Sequence, residues 1–173
     1  MYKEARERIE ICRKKQSKNL DLQEFELTEI PDQLSELVWI EELYLSRNQI
    51  GEICGLEHLI NLKVLHLQYN QIIKIEGLEK LKALEELYLH SNKIIKIKGL
   101  KNLTALRELD ISSNQIGGIK GLKKLTALTG LWLHSNQITE IKGLEKLIAL
   151  KALWLGSNQI NKIKGLEKLA VLT

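Results

Sequence analysis

Asparagine recurs along this chain on a fixed beat. Asn48, Asn70, Asn92, Asn114, Asn136 and Asn158 stand 22 residues apart, and each closes a Leu-x-Leu-x-x or Leu-x-Ile-x-x run. A constant period of this length marks an architecture of stacked repeats, and it outranks every other signal in the sequence. Within one period, Ile50, Ile53, Leu56, Leu59, Leu62, Leu65 and Leu67 are separated by steps of three that close with a step of two. The step of two predicts a strand, whose side chains alternate between faces. The run of threes fits tight turns of three residues per turn rather than a long amphipathic helix. Each period is therefore expected to form one short strand, begun by Leu20, Leu43, Leu65, Leu87, Leu109, Leu131 or Leu153, followed by irregular or 3₁₀-like backbone. Such a unit cannot bury its Ile and Leu row alone. The units must stack into one core beneath a parallel sheet roughly 30 Å long, at about 4.8 Å per strand.

Two further columns account for the corners. An asparagine side chain both donates and accepts, so a column of Asn after the strands can satisfy backbone groups that a bend leaves unpaired. Gly55, Gly77, Gly99, Gly121, Gly143 and Gly165 form the second column. Glycine there permits a positive φ or close approach of neighbouring turns.

The stretch Leu87-x-Leu89-x-x-Asn92-x-Ile94-x-x-Ile97-x-Gly99-Leu100-x-x-Leu103 resembles the leucine-rich repeat family in its 22-residue subclass. That spacing is shared by the leucine-rich-repeat regulatory subunit of type-1 protein phosphatase and, more distantly, by bacterial internalins. The resemblance covers roughly residues 19 to 173. It implies an α/β fold: a curved solenoid with about seven parallel strands on the concave face and short 3₁₀ or helical turns on the convex face. Residues 1–18 lie outside the repeats. There Ala5, Ile9 and Cys12 share helical spacing, with Glu4 and Glu7 early and Arg13, Lys14 and Lys15 late, an order that suits the helix dipole. This segment is expected to be a helix that caps the first repeat, which is itself atypical, with Phe25 in the asparagine column.

Leu172 and Thr173 fall where another strand would begin. The reading at that end is an uncapped last repeat, with self-association through its open edge or continuation into further chain. No apolar run reaches the 18 or more residues of a membrane span. The charged segment before Ser17 lacks the apolar centre of a secretory signal, and two cysteines, Cys12 and Cys54, are too few for a disulfide framework. Both features lead to an expected cytoplasmic setting.

Function is sought on the strand face turned away from the core. The residue between the two apolar anchors is in turn Asp21, Tyr44, His66, Tyr88, Asp110, Trp132 and Trp154, so four of the chain's eight aromatic residues share one column. Beside it run Gln23, Ser46, Gln68, His90, Ser112, His134 and Gly156 on one side, and Glu42, Val64, Glu86, Glu108, Gly130 and Ala152 on the other. Tyr69 neighbours this face. Exposed Tyr and Trp on a rigid surface are common anchors of protein recognition, because they desolvate a large area at small entropic cost. Asp21, Glu42, Glu86, Glu108 and Asp110 against Arg47 make the face acidic in a chain of net charge +4. The lysine excess falls elsewhere, at Lys98, Lys101, Lys120, Lys123, Lys124, Lys142, Lys146, Lys164 and Lys168.

A protein partner is therefore expected along the concave face: Tyr44, His66, Tyr69, Glu86, Tyr88, His90, Glu108, Asp110, Trp132, His134 and Trp154. The tryptophans, flanked by Gly130, Ala152 and Gly156, are expected to form an uncrowded apolar patch. Nucleic acid is disfavoured because the basic and aromatic residues lie on different faces. Neither a membrane partner nor a cofactor is expected. His90 and His134 share a column two strands, roughly 10 Å, apart, with Asp110 diagonally between them, which is a poor metal site. Ser91, Ser113, Ser135 and Ser157 stand beside the asparagines as turn residues, without a dedicated base at fixed spacing, so catalysis is not expected. Gly117-Gly118 lacks the strand-to-helix context of a phosphate loop. The function these residues support is a binding scaffold or regulatory module. Two other readings stand beside it. One is the repeat domain of a larger protein such as a Roco-type GTPase, which the entry Leu20-Asp21-Leu22, Leu27 and Ile30-Pro31 resembles. The other is a designed repeat scaffold.

Overall fold

The computed structural model describes residues 2–167 together with Leu169 and Leu172. The expectations placed on Lys168 and Thr173 lie outside the described residues. Helix α1 (Tyr2–Lys15) opens the chain and buries Ala5, Ile9 and Cys12, the three positions its spacing singles out. Seven three-residue strands follow in one parallel sheet: β1 (Asn19–Asp21), β2 (Glu42–Tyr44), β3 (Val64–His66), β4 (Glu86–Tyr88), β5 (Glu108–Asp110), β6 (Gly130–Trp132) and β8 (Ala152–Trp154). Their order in space is their order in the chain. The register is that of the repeat, with Leu20 beside Leu43, Leu43 beside Leu65, and Leu131 beside Leu153. Each of these leucines sits in the middle of its strand rather than at its start, because the residue before it already pairs with the neighbouring strand.

Behind the sheet the runs of threes become chains of single turns. Leu59 N–H donates to the Leu56 carbonyl at 3.0 Å and Leu62 N–H to Leu59 at 2.9 Å. Leu81 and Leu84 repeat the pattern one rung later. Among the described residues, only the atypical first repeat draws such turns into a continuous 3₁₀ helix, at Asp32–Glu36. A second, two-stranded parallel sheet, β7 (Glu140–Ile141) beside β9 (Lys162–Ile163), lies after the asparagine corner and was not foreseen in the sequence. Repeat-column leucines and isoleucines form one continuous buried core from Ala5 to Leu169, while Ile60, Ile73, Ile95 and Ile148 stand outside it, exposed. At the last strand Leu153 and Leu155 are half-buried, whereas Leu131 and Leu133 one rung earlier are fully buried.

The asparagines join rung to rung. Asn92 Nδ2 donates to the Leu89 carbonyl of its own rung and to the Leu67 carbonyl of the rung before, both at 3.0 Å, while its Oδ1 accepts the Ile72 N–H at 2.9 Å. Asn48, Asn70, Asn114, Asn136 and Asn158 make the corresponding bonds. The residue before each Asn takes a left-handed turn, with φ of 55° at Arg47, 58° at Tyr69 and 55° at Ser91. At Ser91 and Ser113 the backbone N–H reaches the next rung, at 3.2 Å to Ser112 and 2.9 Å to His134. In the glycine column Gly99 has φ +77°, and a Cβ there would stand 2.3 Å from the Ile75 carbonyl oxygen, so only glycine fits.

Replacing Asn92 with Ala strands the buried Ile72 N–H, at about 1–3 kcal/mol for an unpaired group, and takes one of two amide donors from each of the Leu67 and Leu89 carbonyls, which keep Asn70 and Asn114. Urea unfolding of Asn92→Ala should show a loss of about 1–3 kcal/mol. Asn158→Ala, at a half-buried position, should lose distinctly less. Equal losses in the two variants would contradict the burial argument.

Candidate functional site

The repeat register brings the aromatic column together as a ridge on the concave face. Tyr44 and His66 stack with ring centroids 4.7 Å apart, and His66 and Tyr88 with centroids 4.5 Å apart, both pairs within 12° of parallel. Adjacent strands lie near 4.8 Å apart, so rings at equal positions on neighbouring strands meet at stacking distance. Trp132 and Trp154 continue the column on β6 and β8, and Trp154 is the most exposed of the five, at 59%. Tyr69, on the left-handed corner rather than on a strand, is also exposed. It meets His90 edge-on at 5.2 Å and carries the Arg47 guanidinium 4.9 Å above its ring.

Acids fix the polar ends of these rings. Tyr44 Oη donates to Glu42 at 2.7 Å and Tyr88 Oη to Glu86 at 2.8 Å. The hydrogen bond to Glu42, with burial second, pushes the Tyr44 phenol up to about 12. Burial first and then the bond to Glu86 raise Tyr88 as well. His66, half-buried in the stack, is lowered from 6.5 by that burial, which its bond to Gln68 only partly offsets.

Farther along, His90 Nδ1 lies 3.0 Å from Asp110 Oδ2, and the Ser112 hydroxyl donates to Asp110 Oδ1 at 2.6 Å. Burial disfavours the Asp110 carboxylate, yet the bonds from His90 and from the Ser112 hydroxyl and N–H outweigh it and hold its pKa below the usual value. A serine, a carboxylate and a histidine thus touch in the order Ser112, Asp110, His90. That order does not activate a hydroxyl, because the group on Ser112 is a weakened carboxylate base and the imidazole lies on its far side. Ser46 and Ser112, placed on the open face by alternation, are in fact buried. His134 does not join His90 and Asp110, and among the described residues no three His, Cys, Asp or Glu side chains are grouped to hold a metal.

The neighbourhood of Trp132 differs from the uncrowded patch expected around Gly130. A Cβ on Gly130 would stand 2.5 Å from the Trp132 ring and 2.0 Å from Glu108 Oε2. The missing side chain is the space into which the indole folds, over the Glu108 carboxylate. Glu108 Oε1 accepts from the Thr129 hydroxyl at 2.7 Å, whereas Glu108 Oε2 and His134 Nδ1 are buried without a hydrogen-bond partner among the described residues. Gly156 remains open, with nothing within 4 Å of its absent Cβ.

A family model described as Leucine Rich repeats (2 copies) matches residues 60–102, 83–124, 104–146 and 126–168. The chain belongs to the leucine-rich repeat family. Among solved structures, the internalin inlF of Listeria monocytogenes superposes with a TM-score of 0.83 at 28% identity, over 95% of this chain and 49% of its own. A leucine-rich-repeat protein of Leptospira interrogans gives a TM-score of 0.89 at 30% identity, over 95% of this chain and 43% of its own. Internalin C2 of L. monocytogenes gives 0.70 at 29%, over 90% and 78%. This chain therefore spans less than half the length of the first two. Comparison with curated proteins gave no match. Leucine-rich repeats commonly serve protein interaction, which agrees with the binding role read from the sequence. No helix among the described residues is long and apolar enough to cross a membrane.

Tyr44 and His66 carry opposite pH signs. The folded-state pKa of Tyr44 is raised, so its contribution to stability is present below pH 10 and is lost as the pH climbs towards about 12. The folded-state pKa of His66 is depressed, so its contribution is present above 6.5 and is lost as the pH falls through its lower folded value. Tyrosinate absorbance should therefore show a late-ionising tyrosine that Glu42→Gln moves back towards 10. Imidazole NMR should place the His66 midpoint below 6.5.

Proposed function

We propose that this chain is a non-catalytic protein-binding module, of scaffold or regulatory type, that holds a partner along its concave face. The observation that carries the reading is the aromatic ridge. Tyr44, His66 and Tyr88 are already stacked before any partner arrives, so little rotamer entropy remains to be lost on binding. The ridge extends to Trp154, whose indole is largely exposed, and large exposed aromatics on a rigid support are the residue types that dominate interface energetics.

The charge of the face defines the partner's chemistry. Glu42, Glu86, Glu108 and Asp110 line the ridge and favour a partner with Arg or Lys beside a bulky apolar residue. Glu108 Oε2 is the point of greatest gain, since a buried carboxylate oxygen without a donor becomes paired there once the Trp132 ring gives way. His90, His134 and Tyr69 border the same surface as adaptable polar contacts. The unbridged thiols of Cys12, buried, and Cys54, exposed, support a cytoplasmic setting.

The reading is tested with a random peptide library displayed on phage and panned on the immobilised chain. Enriched peptides should combine Arg or Lys with a bulky apolar residue. Their affinity should fall about 100-fold, the equivalent of two interface hot-spot residues of modest size, in the Trp132→Ala/Trp154→Ala double variant. Enriched peptides that bind the double variant as tightly as the parent would sink the proposal.

A further inference from the structure

Gly117 and Gly118 have no structural reason to be glycine. Neither has a left-handed φ, and a Cβ on either would meet nothing within 4 Å. The same two positions carry Ile73 and Lys74, Ile95 and Lys96, and Thr139 and Glu140 on other rungs. Loss of both side chains on a single rung opens a groove of about 780 Å³ on the flank where the chain leaves the strands. Ile95, 49% exposed, forms one shoulder, and the rung of Thr139 and Glu140 forms the other. The groove lies where the flank ladder ends, since β7 pairs with β9 and not with the glycine segment. The Gly117 backbone is exposed and that of Gly118 half-buried, and neither is paired among the described residues.

Its walls are cationic. Lys96, Lys98, Lys120 and Lys142 all line it, facing Glu140 alone. Glu140 is engaged by Lys142, which holds its pKa down, so Lys96, Lys98 and Lys120 are left without an ion-pair partner among the described residues. Exposed lysines usually keep a surface soluble. Here they surround a concave site with free backbone amides at its floor and an exposed isoleucine at its lip.

We propose that this groove is a second docking site, separate from the concave face, for an extended acidic segment of a partner protein that carries a bulky apolar side chain. The apolar side chain fills the notch above Gly117 and Gly118 against Ile95. The flanking Asp or Glu carboxylates pair with Lys96, Lys98 and Lys120 and accept from the bare amides. Charge complementarity selects the acidic segment, and the notch selects its apolar residue.

The two contributions pull apart in one variant. Gly117→Ile combined with Gly118→Lys gives the rung the side chains of its neighbour, fills the groove and raises the positive charge by one. A fluorescein-labelled peptide of sequence Glu-Glu-Leu-Glu-Glu, followed by anisotropy with the whole chain, should bind the parent and bind this variant at least tenfold more weakly. The Lys98→Glu/Lys120→Glu variant should lose the peptide altogether, and Trp132→Ala/Trp154→Ala should hold it unchanged, so the outcome is independent of the concave-face reading. Thermal unfolding of each variant checks that the rungs remain stacked. The proposal is overturned if the parent does not bind the peptide at millimolar concentration, or if the filled variant binds as well as the parent or better. It is equally overturned if a single-stranded oligonucleotide of equal charge competes as effectively as unlabelled peptide, because the flank would then be an unselective cationic surface.

Discussion

At the corner after each strand, the side-chain amide of a single asparagine ties its rung to the one before it. The strands are only three residues long, too short for their own ladder bonds to set the geometry of the turn that follows. Asn92 takes over at that point, donating to carbonyls on two rungs and accepting the N–H of Ile72. The requirement for both donor and acceptor excludes aspartate, and the burial of the site makes an unpaired backbone group expensive. The left-handed residue ahead of each asparagine follows from the same corner, since the chain must reverse its twist there to bring the amide inward. That residue is projected to the rim of the concave face. In this way the corner that closes the core also puts Arg47 and Tyr69 at the edge of the candidate binding surface.

The repeat also places the aromatic ridge. Side chains at equal positions of neighbouring rungs are brought to strand spacing whatever their identity, and the planar rings of Tyr44, His66 and Tyr88 stack at that spacing. The sequence column Tyr44, His66, Tyr88 therefore translates directly into three parallel rings, and α1, the core and the strand register were legible for the same reason: each depends on spacing alone. What was not legible depends on the direction a side chain takes. Gly130 looked like open space beside a tryptophan, and the structure fills that space with the tryptophan's own ring and the end of Glu108. Ser46 and Ser112 occupy face positions by alternation but turn down onto neighbouring polar groups, as Ser112 does onto Asp110. Periodicity carries no information about such choices, because they are settled by one neighbour on one rung.

Gly117 and Gly118 show the complementary case. In the sequence they read only as a failed phosphate loop, since a motif search asks what glycines allow the backbone to do. In the structure the backbone there is ordinary, and the effect of the pair is the side chains it withholds. The signal was available in the repeat alignment, where two large side chains on the preceding rung give way to none, but it gains meaning only when the flank is seen as a continuous wall with a gap.

The two candidate surfaces are of opposite sign and lie on the same rungs. Acids gather around the ridge, and lysines around the flank. Between them stands a core of leucine and isoleucine about as thick as two packed layers, roughly 10 Å, comparable to the Debye length at physiological ionic strength. Each face therefore presents its own field to an approaching chain, and neither is cancelled by the net charge of +4. A partner with a basic apolar segment is drawn to the sheet and one with an acidic apolar segment to the flank. Because each rung packs only against its neighbours, a residue can be exchanged on one face without passing strain along the array. A solenoid of this kind can thus evolve two specificities on one set of rungs, provided that the asparagine corners between them are left intact.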